Sequence, residues 1–221
     1  MARNFDGTND NVDFGADASI NNYTAFTVVA WVDCQTPGSN TDFWTSKNGG
    51  TELGWQTSFQ TFTNVCDIYR VWSTTAGAWS FPKPANGLHH MAITYDGSST
   101  TNDPTATVDG VAQTITEVAA PVGTIGDDSG HALRLGENAT GGLDFQGRVG
   151  WYTYHNEILT AAEINRARWW GRPKGGIKVY HPLVTDKLAN EGTATANGTA
   201  TGSTMFAMVA PVQRPGMGTA L

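Results

Sequence analysis

Charged residues are scarce in this chain, and those present lean acidic. Asp, Glu, Lys and Arg make up 15% of 221 residues and leave a net charge of −7. Such a surface repels phosphate backbones and anionic headgroups, so neither nucleic acid nor a membrane is expected as a partner. Long apolar runs are missing too. No stretch reaches the roughly 18 residues that a membrane-crossing helix needs. The opening Met1-Ala2-Arg3-Asn4-Phe5-Asp6-Gly7 has no apolar segment of the signal-peptide kind, so no leader is expected. Cysteine is confined to Cys34 and Cys66, too few for a disulfide framework. We read them as buried thiols on neighbouring strands; a bridge would need Cα atoms within about 7 Å. No nucleophile elbow and no phosphate loop occurs. His89 and His90 are adjacent, so on a strand they face opposite ways and cannot share one ion.

Glycine and aromatic residues are what the chain has in quantity: 26 Gly, with eight Trp, six Tyr and nine Phe. That combination suits a sheet protein with many turns and a real core. Asp6-Gly7, Asp96-Gly97, Asp109-Gly110, Asn48-Gly49 and Asn86-Gly87 are the dipeptides that accept positive φ in tight hairpins. Strand-like runs lie between them. Residues 26–32 (FTVVAWV) are nearly all apolar and predict a central strand buried on both sides. Residues 66–72, 89–95, 105–108, 111–115 and 144–154 read as further strands. In the last of these, strict alternation would put Val149, Trp151 and Thr153 on one face and Arg148, Tyr152 and Tyr154 on the other. One helix is expected at about 160–170. Thr160 and Glu163 make a capping box, Leu159 and Ile164 a hydrophobic staple, and Gly171 with Pro173 the stop.

The fold expected is therefore all-β: two packed antiparallel sheets with one short helix. The Thr-, Ala- and Gly-rich chain beyond it cannot form its own core. Domain limits of 1–172 for the sandwich and 173–221 for an extended C-terminal arm follow. The arm is expected to order against neighbouring subunits, with Met205, Phe206, Met208 and Val209 as apolar anchors.

Several motifs, in order, resemble the laminin-G-like, concanavalin A-like jelly-roll domains, in particular their phage and bacterial branch. They are Phe5-Asp6-Gly7, Phe26-Thr27-Val28 with Ala30-Trp31-Val32, and Leu88-His89-His90-Met91-Ala92 with Thr94-Tyr95-Asp96-Gly97. Val108-Asp109-Gly110, Arg134-Leu135-Gly136, and Phe145-Gln146-Gly147-Arg148 through Ile164 follow. The resemblance implies a jelly roll over most of the chain. The family's Trp before the His pair is Leu88 here.

Glycosidases built on this jelly roll set two carboxylates across the substrate, typically from Glu-x-Asp-x-x-Glu. None of the six glutamates, Glu52, Glu117, Glu137, Glu157, Glu163 and Glu191, has an acidic residue two positions away. A polysaccharide-cleaving enzyme is thus the third choice, and no enzyme is expected. Through the resemblance and the arm, the first expectation is a structural protein on a virion surface, assembled in the host cytoplasm. It would be a capsid decoration or fibre-like protein that contacts capsid proteins and its own copies. The alternative is a glycan-binding lectin or carbohydrate-binding module. Its candidate contacts are Trp44, Trp72, Trp79 and Asp42, with Trp79 the ring expected to be exposed; Trp31 and Trp151 are read as core. No cofactor is required. For Ca²⁺ the candidates are Asp10, Asp13, Asp127 and Asp128, whose ordinary role would be in solvated turns.

Overall fold

A computed structural model describes residues 2–35, 41–48, 54–60, 62–138, 143–170, 177–181 and 198–206. In chain order the strands are β1 (Ala2–Asp6), β2 (Asn11–Asp13), β3 (Ala25–Cys34), β4 (Thr41–Asn48), β5 (Gly54–Gln60), β6 (Val65–Arg70), β7 (Gly77–Pro82) and β8 (Gly87–Asp96). They continue with β9 (Thr105–Val108), β10 (Val111–Ala112), β11 (Thr116–Ala119), β12 (Leu133–Leu135), β13 (Gln146–His155), β14 (Ile177–His181), β15 (Thr199–Thr201) and β16 (Thr204–Phe206). An α-helix, α1, spans Ala161–Trp170, and a single 3-10 turn spans Ala18–Ile20. Among the described residues the strands form two eight-stranded sheets. The first runs β10-β9-β8-β3-β13-β1-β16, with β14 also on β13; the second runs β11-β7-β6-β5-β4-β12-β2-β15. All named pairings are antiparallel, as the jelly-roll reading expects.

The central strand is where the apolar run placed it. Val28, Ala30 and Val32 of β3 enter the core between the sheets, while Val29 faces outward against Ala92, Leu159, Ile164 and Ala167. The helix is the reason β3 is apolar on both faces. Its capping box closes as expected: Thr160 N–H donates to Glu163 Oε2 at 2.9 Å, and Glu163 N–H to Thr160 Oγ1 at 3.3 Å. Aromatic rings join the sheets across the core. Phe26 stacks on Trp55 at 4.9 Å, and Trp55 Nε1 donates to the Tyr154 hydroxyl at 3.3 Å. Asp109 and Gly110 turn the β9–β10 hairpin with φ of 53° and 81°, as the Asp-Gly signal requires.

Four expectations are corrected. Alternation fails in β13 because the register shifts between Gly150 and Thr153, where Trp151 has φ of 46°. The bulge puts Val149, Tyr152 and Tyr154 together in the core and leaves Trp151 half-buried. Trp31 is buried outside the inter-sheet core, edge-on to His90 at 5.4 Å. Cys34 and Cys66 are free and buried, but they come from opposite sheets rather than neighbouring strands. Burial pushes the Cys34 thiol up to about 12.

The fourth concerns the arm. Three of its segments are strands of this chain's own sandwich: β14 on β13, β15 on β2 and β16 on β1. The Arg3 guanidinium also donates to the Ser203 carbonyl at 3.2 Å. The open edges of short β1 and β2 have unpaired backbone groups, and the returning chain satisfies them. Residue 172 is therefore not the edge of the sandwich. Met205 and Phe206 lie in β16; Met208 and Val209 lie outside the described residues.

Candidate functional site

The outer face of the second sheet carries a set of partly exposed polar side chains on regular strands. Alternation along β5 and β6 sends Trp55, Phe59, Cys66 and Ile68 into the core. It sends Gln56, Ser58, Gln60, Asp67 and Tyr69 to the other side. The register then sets Gln56 opposite Tyr69 and Ser58 opposite Asp67, with Ser80 of β7 on the far side of Asp67. A hollow of about 260 Å³ results, walled at its edge by Val118, with Ser58 buried at its floor. Asn48 Nδ2 donates to Gln56 Oε1 and holds that amide in place. Burial raises the Asp67 carboxyl above the ordinary carboxylate range, and a contact with Gln60 opposes the rise.

Tyr69 also walls a second hollow, of about 660 Å³, at the end of the sandwich. Its sides are the segments after β6 and before β12. They are laced by backbone bonds from Ser73 N–H to the Thr124 carbonyl (2.7 Å) and from Gly126 N–H to the Val71 carbonyl (2.9 Å). Beneath them lies a buried ionic cluster. Asp128 accepts from Lys47 Nζ at 3.0 Å and from Arg70 at 3.1 Å, and all three side chains are within 1% of complete burial. Lys47 Nζ donates further to Asn21 Oδ1 (2.9 Å), the Asp128 carbonyl (2.7 Å) and the His131 carbonyl (3.1 Å). Burial lowers the Lys47 ammonium from its usual range, and Asp128 pulls it back. Breaking such a buried set by removing one partner typically costs about 3–5 kcal/mol, so the loop end is firmly held.

The expected metal candidates are thereby accounted for. Asp128 is held by two of the protein's own cations. Asp10 accepts from Asp6 N–H at 2.7 Å, and burial raises its carboxyl. Asp13 pairs with Arg134 at 2.9 Å. Asp127 accepts from Ser129 N–H at 2.8 Å, which lowers its carboxyl. Among the described residues no three His, Cys, Asp or Glu side chains converge as a metal site.

The tryptophans expected at a ligand are mostly inside. Trp44 and Trp79 are 0% and 1% exposed. Trp79 alternates inward with Phe81, its ring folds over Gly77, and its Nε1 donates to Asp103 at 2.7 Å. It belongs to β7 and is not the exposed ring that was expected. Trp72 is 6% exposed and lends an edge to the larger hollow, its Nε1 donating to the Tyr95 hydroxyl. The side chain of Asp42 lies outside the described residues. Tyr69, Gln56 and Ser58 were not anticipated. Asp67 and Tyr69 were visible as the polar alternates of an apolar run, but the residues facing them depend on register.

The comparisons agree with this architecture. Residues 6–165 match Laminin_G_3, of the concanavalin A-like lectin/glucanases superfamily, and the chain belongs to that family. A candidate carbohydrate-binding protein from Bacteroides ovatus has the same fold, with a TM-score of 0.68 and 16% identity. The alignment covers 96% of this chain and 60% of that one, so this chain spans three fifths of its length. The heptameric SAP-like pentraxin of Limulus polyphemus aligns with a TM-score of 0.55 and 16% identity, over 75% of this chain and 80% of its own. At these identities the likeness is one of fold. No curated protein matches the chain.

Proposed function

We propose that this protein binds glycans on the outer face of its second sheet, with Tyr69 as the stacking ring and Asp67, Gln56 and Gln60 as the hydrogen-bonding set. One observation carries the reading. A carboxylate, two amides and a tyrosine ring converge on a shallow hollow built on rigid strands. Sugars present apolar ring faces and dense hydroxyls, and such a surface answers both. Membership of a lectin and glucanase superfamily, and the fold shared with a candidate carbohydrate-binding protein, support it. Asp67 is the sole carboxylate among the described residues lining the sheet hollow. Hydrolysis by the usual route needs two, so binding rather than cleavage is the better reading.

A place on a virion surface, with capsid partners, rests on the sequence resemblance. Its docking premise was the arm, whose described strands are used within the chain.

The test is a glycan array followed by titration calorimetry of wild type, Tyr69→Ala and Asp67→Asn. Each substitution is expected to weaken binding about tenfold or more, the scale of one anchoring contact, with circular dichroism unchanged. Wild type that binds no glycan, or variants that bind as well as wild type, would overturn the reading.

A further inference from the structure

We propose that the site takes an elongated, non-anionic oligosaccharide, uncharged or amine-bearing, running from the sheet hollow past Tyr69 into the loop-end hollow. The inference rests on the glycan-binding reading above and specifies its ligand.

Length follows from the shared wall. Tyr69 lines both hollows, and the loop-end one is the larger, about 660 against 260 Å³. A ligand stacked on Tyr69 therefore has room on both sides. The second hollow is no loose cleft. Arg70, reaching from beneath, donates to the Gly126 carbonyl at 3.3 Å, and the backbone ladder between Val71–Thr75 and Val122–Gly126 fixes its walls. Ser73, Thr74 and Thr124 present hydroxyl groups there, the kind of lining that pairs with sugar hydroxyls.

Charge follows from what lines the two hollows. Asp67 stands in the first and Asp127 in the second, and no Lys, Arg or His is among the described residues lining either. Two cations beneath the hollows are withdrawn from them. Arg70 and Lys47 are buried and both are committed to Asp128. A uronic acid or sulfated sugar would bring its charge beside a half-desolvated carboxylate with no cation to receive it, and the chain's net charge of −7 adds to the repulsion. An ammonium on the sugar would instead pair with Asp67.

Binding of the full chain to neutral, amino, uronic acid and sulfated oligosaccharides, from disaccharides upward, tests this. Acidic oligomers should bind about tenfold or more weaker than neutral or amino ones of equal length. Affinity should rise beyond the disaccharide. Asp67→Asn should narrow the gap between acidic and neutral ligands, and the double variant Ser73→Ala, Thr124→Ala should lose the gain with length. Acidic glycans bound as tightly as neutral ones, or affinity independent of length, would overturn this proposal alone. Binding of none of them would overturn it together with the glycan-binding reading.

Discussion

The two sheets have the same number of described strands and opposite treatments of their outer faces. On the first, α1 lies over Val29 and Ala92, and Leu159, Ile164 and Ala167 seal the contact. His90 and His155 are buried on that face, with no ring nitrogen hydrogen-bonded among the described residues. Among the described residues no helix lies over the second sheet, and Gln56, Gln60, Asp67 and Tyr69 are half-exposed. One face has been closed for stability; the other has been left polar and open, where a ligand can reach it. A capped ten-residue helix is enough to make the difference.

Acid should test the closed face most severely. Burial lowers His90 to about 3 and His155 to about 4, with Arg168 adding to the first and Glu163 opposing the second. Both folded-state values lie below the unfolded value of about 6.5. Below that pH the unfolded chain takes up protons that the folded chain refuses, so stability is full above about 6.5 and falls towards 4. The slope should approach roughly 1 kcal/mol per pH unit for each histidine. Asp109, which faces His90 and is lowered by His89, loses its contribution only at still lower pH; Asp10 and Asp67, raised by burial, oppose the loss there. Denaturant midpoints across this range should fall steadily in wild type and less steeply in His155→Phe. A flat profile would mean that the face is not closed.

Next in size is the helix contact itself. Ile164→Ala removes a buried side chain from the small outer cluster, and should cost about 2–5 kcal/mol by chemical denaturation. A cost below about 1 kcal/mol would make α1 an ornament rather than a cover.

The two faces were also unequally readable in the sequence. Closure was legible because its signals are local: Thr160 and Glu163 three residues apart, Leu159 and Ile164 around them, and a strand apolar at every position from 28 to 32. The Asp109-Gly110 hairpin is local in the same sense. The open site was not, because its parts meet only through pairing. Gln56 faces Tyr69 by the register of β5 on β6, and Asp67, on a strand already expected at 66–72, has no visible neighbour until that register is known. Trp79 misled because one residue of phase decides inward from outward. Lys47 carries no local sign of burial; it is drawn in by Asp128, 81 positions away. The last two strands are invisible for the same reason, since β15 and β16 pair with β2 and β1 near the start of the chain, whereas β14 shows in the apolar alternation of 177–183.

The smallest expected effect separates the faces most cleanly. Asp67 sits partly desolvated in the open face, and its carboxyl is raised above the unfolded value. The charged form is then less favourable in the folded chain than in the unfolded one, so at neutral pH the ionised side chain works against folding. Asp67→Asn keeps the shape and removes that penalty. With solvent screening at a half-exposed position, the gain should be no more than about 1 kcal/mol, read as an equal or slightly higher melting temperature. The same variant should bind glycan more weakly. A residue placed for packing loses stability when changed; one kept for a ligand loses binding and returns a little stability. A fall in melting temperature for Asp67→Asn would assign the row of polar residues to the fold, and the open face would cease to be a site.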